Sequence, residues 1–429
     1  MEDSGVLRIA IVGFGTVGQS VVRAVSDDHP SLRVTHICNR EVERKRKKGD
    51  WVSSSVVWTD DFEVVLTSDA DVVVELIGGV TDAKDWIRRS LQAGKDVVTA
   101  NKQLLAHHGS ELSEIARENG RCLFFEASVA GGIPIIHGVK QGLAGDTLFR
   151  LRGILNGTCN YILTRMEAES VSFAEVLSDA QKLGIAEADP TEDVDGYDAQ
   201  AKIAILSSVA FGYELSVKQI PVSGIRTIEA IDFVYSKRMQ HTIRQVAEIE
   251  IVDHKEPSVF ASVRPMLVPL SSALARVEGS RNVVCVEGRL GKETVFSGFG
   301  AGGGPTAVAV ISDLESIAAY GENGRRQGRK LVRATTIGQL FAPHYVRFVV
   351  SDRPGIIEAL AGTFSKYDVN IDSVLQEPGY PKAKLPFVVT LEACQSGAVE
   401  LAVQECAAMD FNVRPPLSMP MLESGDSKE

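Results

Sequence analysis

The sequence lacks the features that would indicate a membrane, a secretion signal, a disulfide framework or a zinc centre. Its six cysteines lie far apart and none forms a CxxC pair, so neither zinc nor disulfides are indicated. No apolar run approaches the roughly 20 residues of a membrane span. Residues 1–5 are polar and do not resemble a signal peptide. We therefore expect a cytoplasmic protein without a membrane partner.

An excess of positive charge is also absent. The chain has 45 Lys and Arg against 56 Asp and Glu, a net charge of −11. A negative surface argues against nucleic acid as a partner. With 429 residues, 44% of them hydrophobic and 24% charged, the composition is that of a globular protein with two or three domains.

The first part of the chain alternates short apolar runs with helical periodicity. The apolar runs are residues 6–12, 32–38, 71–77, 97–100 and 122–125. Strands that alternate with helices predict an α/β domain with a doubly wound parallel sheet, Rossmann-like, over residues 1–128.

A glycine motif follows the first of these runs. It consists of Gly13, Phe14, Gly15, Thr16, Val17 and Gly18. Between a strand and a helix, Gly13 permits a tight turn, Gly15 lets the backbone approach a pyrophosphate, and Gly18 allows close packing of the helix on the strand. The motif predicts dinucleotide binding at the helix N-terminus. The alternative is a glycine turn needed for packing only.

The end of the second apolar run bears on the choice of cofactor. An NAD-selective site would place Asp or Glu there, whereas this chain has Asn39 and Arg40, followed by basic residues 44–48. Arg40 could pair with a 2′-phosphate, so we expect NADP(H) to be preferred, with NAD(H) possible. A solvated basic helix face is the alternative, and for residues 44–48 it is the favoured interpretation.

The pattern changes after about residue 128. Helical periodicity at 172–183 and 195–211, and alternating strands at 241–298, predict a mixed α+β catalytic and dimerisation domain over 129–321. Its last part, 300–321, is expected to return to the cofactor domain. Residues 322–340 have linker composition. Residues 341–420 follow a βαββα(β) order typical of a ferredoxin-like module, and 421–429 are expected to be a disordered tail.

An acidic residue and a lysine lie close together at the start of one predicted helix. Asp198 and Lys202 are four residues apart, so their side chains share a helix face. The helix that follows is largely apolar and thus expected to be buried, which favours a cleft-lining pair. An ordinary surface ion pair is the alternative.

Six motifs, in order along nearly the whole chain, resemble the homoserine dehydrogenase family. They are residues 13–18, Ala100-Asn101-Lys102, 126–134, Gly153-Ile154-Leu155-Asn156-Gly157-Thr158-Cys159-Asn160, 187–202 and 300–306. The resemblance implies reduction of L-aspartate 4-semialdehyde to L-homoserine, in threonine, methionine and isoleucine biosynthesis. No aspartokinase-like region precedes the glycine motif, so we expect an enzyme that is not fused to a kinase.

The resemblance also implies roles for individual residues. Lys202 would be the acid/base lysine, Lys102 a second catalytic or orienting lysine, and Asp198 a catalytic residue that also binds the substrate. The remaining substrate-binding residues would be Glu187, Gly153, Asn156, Gly157, Thr158 and Asp193. Further cofactor contacts would come from Gly78, Lys102 and Gly302. A monovalent cation, Na⁺ or K⁺, would be held at Glu126 and by the carbonyls of Val129, Gly131 and Ile133.

The C-terminal module resembles an ACT domain, a sensor of small ligands that usually pairs with a second copy. The effector residues would be Asp352, Gly355, Ile356 and Asn370. L-Threonine is the expected effector, and a homo-oligomer, dimer or tetramer, the expected assembly. Leu391 and Glu392 stand where this strand more commonly ends in Thr-His in ACT domains, so the identity of the effector stays open. A purely structural dimerisation module is the alternative.

Two other functions stay open at this point. The same scaffold could act on a different amino-acid aldehyde. It could also be a sensor that binds cofactor and amino acid without turnover, although the presence of Lys102, Glu187, Asp198 and Lys202 argues against this.

Overall fold

The computed structural model describes residues 6–253, 258–320 and 341–421. The chain divides into two compact units, within residues 1–326 and 327–429. Among the described residues, no helix is long and apolar enough to span a bilayer. The predicted linker and residues 422–429 of the predicted tail lie outside the described residues.

A six-stranded parallel sheet forms the first half of unit one, in the order β3-β2-β1-β4-β5-β6. The strands are β1 (Leu7–Val12), β2 (Leu32–Cys38), β3 (Val57–Thr59), β4 (Val72–Glu75), β5 (Asp96–Thr99) and β6 (Leu123–Phe124). This order confirms the predicted Rossmann-like sheet. Because the order reverses between β1 and β4, a ligand crevice is expected at the carboxyl ends of these strands.

Six helices belong to this sheet. They are α1 (Thr16–Asp28), α2 (Val42–Lys48), α3 (Phe62–Leu66), α4 (Thr81–Gln92), α5 (Lys102–Glu118) and, from the end of the unit, α12 (Gly303–Tyr320). Val310 and Leu314 of α12 are fully buried in one apolar cluster with Ile9 of β1 and Val21 of α1. The segment after the last glycine-rich loop therefore packs in the core of the first sheet.

The second sheet of unit one has five strands in the order β11-β10-β7-β8-β9, and all its pairs are antiparallel. The strands are β7 (Leu148–Ile154), β8 (His241–Asp253), β9 (Ser258–Pro269), β10 (Arg281–Gly288) and β11 (Lys292–Phe299). The helices of this part are α6 (Ile135–His137), α7 (Gly157–Glu169), α8 (Phe173–Lys182), α9 (Thr191–Val194), α10 (Tyr197–Phe211) and α11 (Ala230–Arg238). Helix α10 is apolar nearly all round, and its Ile203 and Leu206 are fully buried against the sheet.

Helix α7 was not predicted from the sequence, where its first residues were assigned to a substrate cleft. Its Ile162, Leu163 and Met166 are buried with Val176 of α8 in a separate apolar cluster. Asn156 is its N-cap, since Oδ1 of the side chain accepts the Cys159 N–H at 2.8 Å. The start of a packed helix thus holds Asn156, Gly157 and Thr158.

Unit two has the predicted βαββαβ order. Its elements are β12 (Phe341–Val350), α13 (Ile356–Lys366), β13 (Ile371–Leu375), β14 (Leu385–Gln395), α14 (Ser396–Ala407) and β15 (Asn412–Pro420). The sheet order is β13-β14-β12-β15. Phe348, Leu360 and Phe364 are fully buried between sheet and helices. Helix α13 begins at Ile356, and its N-cap is Gly355, which has φ +90°.

Candidate active site

Two lysines meet at one buried carboxylate in unit one. Lys102, the first residue of α5, places Nζ 2.6 Å from Oδ1 of Asp198. Lys202, one turn after Asp198 on α10, places Nζ 2.8 Å from Oδ2. Asp198 is 3% exposed, so the pair is not an ordinary surface ion pair. The fold thus brings together the three predicted catalytic residues from two distant parts of the chain.

Two neutral groups, the Asn156 amide and the Leu155 carbonyl, also bind the charged side chains of this cluster. Asn156 Nδ2 donates to Oδ2 of Asp198 at 2.9 Å and to Oδ1 of Asp193 at 2.6 Å. The Leu155 carbonyl accepts from Lys202 Nζ at 2.7 Å and from Asn282 Nδ2 at 3.0 Å. Asn282 was not predicted; it is a buried polar residue within a strand, and nothing local in the sequence marks it.

The charges of this cluster stabilise each other. Burial alone would raise the pKa of the Asp198 carboxyl, but the ammonium groups of Lys202 and Lys102 outweigh it and hold this pKa well below its usual range. Burial alone would lower the pKa of Lys102, and the attraction of Asp198 outweighs it, so this pKa lies above its ordinary value. Asp198 is thus ionised and Lys102 protonated at neutral pH.

The other predicted substrate residues lie at different distances from the cluster. Asp193 is joined to it through Asn156. Gly153 is in β7, and Gly157 and Thr158 open α7, where Thr158 donates to the Ile185 carbonyl at 3.2 Å. Glu187 is exposed, and within the described chain its carboxylate has no bond to the lysines or to Asp198. The structure therefore does not bring Glu187 into the cluster.

A cleft with a volume of about 580 Å³ opens at the carboxyl ends of β1, β2 and β4. Its lining includes Gly13, Gly15, Arg40, Gly78 and Trp86. Thr16 and Val17 begin α1 beside it, and Phe14 is fully buried beneath the turn. The size and position suit a dinucleotide at the switch point of the sheet.

The glycine turn has the geometry that its motif predicts. A Cβ on Gly13, which has φ +109°, would lie 2.7 Å from the Leu76 carbonyl oxygen. A Cβ on Gly18 would lie 2.2 Å from the carbonyl oxygen of Gly13. At Gly15, by contrast, no atom of the described chain lies within 4 Å of a Cβ position, which leaves the N-terminus of α1 open to a phosphate. Gly302, with φ +116°, immediately precedes α12.

Arg40 lies on one wall of the cleft and is strongly exposed. Its guanidinium is 2.6 Å from Oδ2 of Asp82, at the start of α4, and its side chain is 80% exposed. Lys45 of the basic run also lines the cleft, whereas Arg44, Arg46, Lys47 and Lys48 are exposed. Asp82 was not predicted, and no pattern in its local sequence distinguishes it.

The segment predicted to hold a cation has an unusual backbone. Ala130 and Gly131 have consecutive positive φ angles, 57° and 53°. Within the described chain, the carbonyls of the buried residues Val129 and Gly131 accept no hydrogen bond, whereas those of Glu126 and Ile133 accept from Val129 and Ile135. Orphaned buried carbonyls are the ligand type that a hard monovalent cation takes. The residues present therefore fit such an ion.

The side chain of Glu126 belongs to a different network. Its carboxylate accepts the N–H groups of Ile136 and His137 at 2.8 and 2.7 Å. His137 Nε2 lies 2.8 Å from Oδ1 of Asp313 on α12, and this bond raises the pKa of the imidazole. The network was not predicted from the sequence. Each oxygen of the Glu126 carboxylate thus already accepts one backbone N–H group.

In unit two, the predicted effector residues lie at the start of α13 and near β13. Asp352 and Gly355 are exposed, and Ile356, the first helical residue, is buried. Asn370 Nδ2 donates to Oε2 of Glu392 at 3.2 Å. Glu392 is one of the two residues that depart from the commoner Thr-His ending, and it contacts Asn370, one of the predicted effector residues.

A glycine turn over a dinucleotide-sized cleft in a Rossmann-like sheet, together with two lysines that meet at one buried carboxylate, defines an oxidoreductase that uses a nicotinamide nucleotide. Three family models match the chain: "Homoserine dehydrogenase, NAD binding domain" over residues 13–126, "Homoserine dehydrogenase" over 134–314, and "ACT domain" over 344–402. The chain belongs to the homoserine dehydrogenase family.

Individual relatives agree with this assignment. The homoserine dehydrogenase of Bacillus subtilis is 37% identical over 387 residues, which are 87% of this chain and 88% of the relative. That of Mycobacterium tuberculosis H37Rv is 40% identical over 385 residues, 87% of each. The crystal structure of the Thiobacillus denitrificans enzyme matches with a TM-score of 0.69 at 29% identity, covering 96% of this chain and 97% of that one. A hyperthermophilic archaeal homoserine dehydrogenase in complex with NADPH matches with a TM-score of 0.62 at 27% identity, covering 74% and 99%.

Proposed function

We propose that this homoserine dehydrogenase reduces L-aspartate 4-semialdehyde to L-homoserine in threonine, methionine and isoleucine biosynthesis, with NADP(H) as the preferred cofactor and NAD(H) also accepted. The observation that carries the proposal is the buried Asp198 carboxylate with an ammonium group on each oxygen. One of these lysines begins the helix after β5 of the nucleotide-binding sheet, so the pair lies where that sheet meets α10.

The two ammonium groups are suited to a developing alkoxide. A nicotinamide bound in the cleft would supply the hydride. Negative charge then grows on the aldehyde oxygen, where nearby ammonium groups stabilise it and provide a proton. An ammonium has three N–H donors; Lys202 uses one on Leu155 and one on Asp198, which leaves one for the substrate. We assign proton donation to Lys202 and orientation of the aldehyde oxygen to Lys102.

The substrate also carries an α-ammonium group that needs an acceptor. Asp198 is already bonded by Lys102, Lys202 and Asn156, so we assign it mainly to holding the lysines. Asp193 is half-buried beside Asn156, and Glu187 is exposed nearby in sequence. These two carboxylates are the proposed acceptors for the α-ammonium, with the start of α7, including Gly157 and Thr158, as one wall of the site.

Arg40 supports the preference for NADP(H), since a guanidinium binds a phosphate through charge-assisted bonds. Gly78 and Gly302 are proposed as further cofactor contacts. The hyperthermophilic archaeal relative is described in complex with NADPH. The carbonyls of Val129, Gly131 and Ile133, with that of Glu126, are the proposed site of Na⁺ or K⁺, which would fix the segment between the two sheets.

Unit two is proposed to bind an amino-acid effector, L-threonine by preference, and to pair with another copy in a dimer or tetramer. The N-terminus of α13 at Gly355 offers N–H groups to a carboxylate. Asn370 and Glu392 lie together at the start of β13, and Glu392 could accept the effector ammonium. Asp352 and Ile356 border the same helix N-terminus.

The test is a direct assay of purified protein with L-aspartate 4-semialdehyde and either NADPH or NADH. We expect oxidation of both cofactors with a higher kcat/KM for NADPH. Cofactor binding without oxidation would favour the sensor alternative. A higher kcat/KM with another amino-acid aldehyde would reassign the substrate. Equal kcat/KM values for the two cofactors would contradict the assignment of Arg40.

A further inference from the structure

One buried carboxylate in the nucleotide-binding sheet touches neither lysine and has no role in the chemistry above. Glu75 is the last residue of β4 and is 1% exposed. Within the described chain, no Lys, Arg or His pairs with it; its side-chain contacts are with neutral N–H and O–H donors. Burial raises the pKa of this carboxyl group. A buried polar group is costly unless it is hydrogen-bonded, so the role of Glu75 is sought in the groups that it holds.

One oxygen of Glu75 holds the loop that borders the cofactor cleft. Its Oε1 accepts the N–H groups of Ile77 and Gly78 at 2.8 and 3.2 Å. Both residues line the cleft, and Gly78 has φ +68°. The same loop packs against the glycine turn, because Leu76 donates its N–H to the Val12 carbonyl at 2.8 Å. This oxygen therefore fixes one wall of the cleft.

The other oxygen reaches the helix that carries Lys102. Oε2 accepts the Thr99 hydroxyl at 2.6 Å, and the Thr99 Oγ1 accepts the Asn101 N–H at 3.0 Å. Asn101 is the N-cap of α5, with Oδ1 accepting the Leu104 N–H at 3.1 Å. Its Nδ2 donates to the Gly79 carbonyl at 2.6 Å, which closes the network back onto the cleft loop. Lys102 is the next residue.

We propose that Glu75 is a positioning residue that ties the cofactor-binding loop 76–79 to the start of α5, so that the cleft and the Lys102 ammonium keep one relative geometry. The inference rests on the proposed roles of the cleft and of Lys102. The two oxygens of Glu75 have separate roles in this proposal. Oε1 fixes the loop that binds the cofactor, and Oε2 positions Lys102 through Thr99 and Asn101.

The chemistry of the network distinguishes three substitutions. Leu at position 75 would leave the N–H groups of Ile77 and Gly78 and the Thr99 hydroxyl without their acceptor. Gln keeps an oxygen for the two N–H groups and can donate its amide to the Thr99 oxygen, so Glu75→Gln should retain most of the network. Thr99→Val removes only the hydroxyl, and the bonds from Glu75 to Ile77 and Gly78 stay.

The experiment measures kcat, KM for NADPH and Tm for the full-length protein and five variants. Glu75→Leu should raise KM by about 5-fold, because the cleft loop loses the acceptor of two N–H groups, and lower kcat by about 10-fold through misplacement of Lys102. Thr99→Val should lower kcat by a similar factor with KM nearly unchanged. Glu75→Gln should restore both constants to within about 3-fold of wild type, because its hydrogen bonds are uncharged.

Lys95→Met is the matched control. Lys95 is 6% exposed and donates to the carbonyls of Ser68 and Ala70 at 2.7 Å, at the opposite end of β4 and β5. This variant should lower Tm and leave both kinetic constants unchanged. Wild-type kcat and KM in Thr99→Val and Glu75→Leu, with only Tm lowered, would overturn the proposal. If Glu75→Leu does not fold, the kcat of Thr99→Val alone tests the proposal.

The outcome is separable from a failure of the proposed function. Lys102→Ala, measured alongside, should lose most of its kcat. If Lys102→Ala is inactive while Thr99→Val and Glu75→Leu behave as wild type, only the inference about Glu75 fails. If Lys102→Ala keeps wild-type turnover, the assignment of Lys102 itself is wrong.

Discussion

Two ion pairs of unit one have the same length and different surroundings. Lys102 and Asp198 are 2.6 Å apart, and so are Arg40 and Asp82. The Asp198 side chain is 5% exposed, whereas those of Arg40 and Asp82 are 80% and 51% exposed. Because water and salt screen exposed charges, the second pair contributes little to stability and is easily exchanged for another partner.

The difference separates two tasks. The lysine cluster is held by the burial of Asp198, by the bond that Asn156 donates to Asp198, and by the bond that the Leu155 carbonyl accepts from Lys202, as preorganised catalysis requires. In the proposed function, Arg40 would release Asp82 and bind the 2′-phosphate of NADPH, which suits an exposed and weakly held side chain. Distance alone does not distinguish the proposed catalytic ion pair from the proposed recognition group, whereas the burial of the Asp198 carboxylate does.

The largest effect is expected in the buried cluster. Lys202→Ala should lower kcat by about 10²–10⁴-fold, the usual range for a positioned acid–base group. Lys182→Ala is the matched control, since Lys182 is 73% exposed and pairs with Asp179 at 3.1 Å; it should keep wild-type turnover. Steady-state rates of semialdehyde reduction check this, and near-wild-type kcat in Lys202→Ala would remove it from the mechanism.

Asp198→Asn tests how the two ammonium groups are held. We expect a loss of about 10²-fold in kcat, because both lysines lose their anchor. The carboxylate raises the pKa of Lys102. Without the carboxylate this pKa falls, so Lys102 loses its proton at a lower pH than in the wild-type enzyme. The alkaline limb of the kcat–pH profile should therefore move to lower pH.

Asp179→Asn is the control for Asp198→Asn, since Asp179 is a half-buried carboxylate that pairs with Arg165 and Lys182 away from the cluster; it should leave the profile in place. An unchanged alkaline limb in Asp198→Asn would mean that another group than Lys102 limits activity at high pH. A shift to higher pH would contradict the electrostatic argument itself, since removing a negative neighbour disfavours the ammonium form.

The same contrast explains what the sequence could predict. The glycine turn and the alternation of strands with helices depend on local patterns and were predicted. The spacing of Asp198 and Lys202 predicts a shared helix face, and the structure places both residues there. That Lys102 meets Asp198 depends on α5 and α10 packing across 96 residues of chain, which the family resemblance implied and local spacing did not.

Other parts of the site had no local signal. Asn282 reaches the Leu155 carbonyl from a strand 127 residues away, and Asp82 faces Arg40 from another helix. Helix α7 was missed because the glycine and asparagines of residues 156–160 resemble a loop, although Asn156 is its N-cap. Glu187, implied by the resemblance, lies apart from the lysines.

Removal of unit two tests whether catalysis and sensing are separable. The core of unit two consists of its own residues, from Val346 to Phe411, and every proposed catalytic residue lies in unit one. A chain that ends before Gly338 should keep turnover and lose its inhibition by L-threonine. Coupling between sites typically changes affinity by about 5–150-fold, a range that an inhibition curve resolves.

Threonine titrations of the full-length and truncated chains, with light scattering for mass, make the measurement. Inhibition that survives truncation would place the effector site in unit one. Absence of inhibition in the full-length protein would favour a structural module or another amino acid. A smaller assembly after truncation would indicate that unit two also pairs with its copy.

The smallest effect is expected at the exposed ion pair. Arg40→Ala should weaken NADPH binding by about 10-fold, the low end for a bond between charged groups, and leave NADH binding within about 2-fold, because NADH has no phosphate at that position. Arg46→Ala removes an exposed arginine of the same basic run and is the matched control; it should change neither affinity.

Fluorescence titrations of both cofactors at low and moderate salt give the four dissociation constants of each protein. The loss of NADPH affinity in Arg40→Ala should become smaller as the salt concentration rises, since Arg40 is exposed and salt screens exposed charges. Equal losses for NADPH and NADH in Arg40→Ala would indicate a structural role in the cleft wall, and an equal loss in Arg46→Ala would indicate that the general positive charge of the run, rather than Arg40, attracts the phosphate.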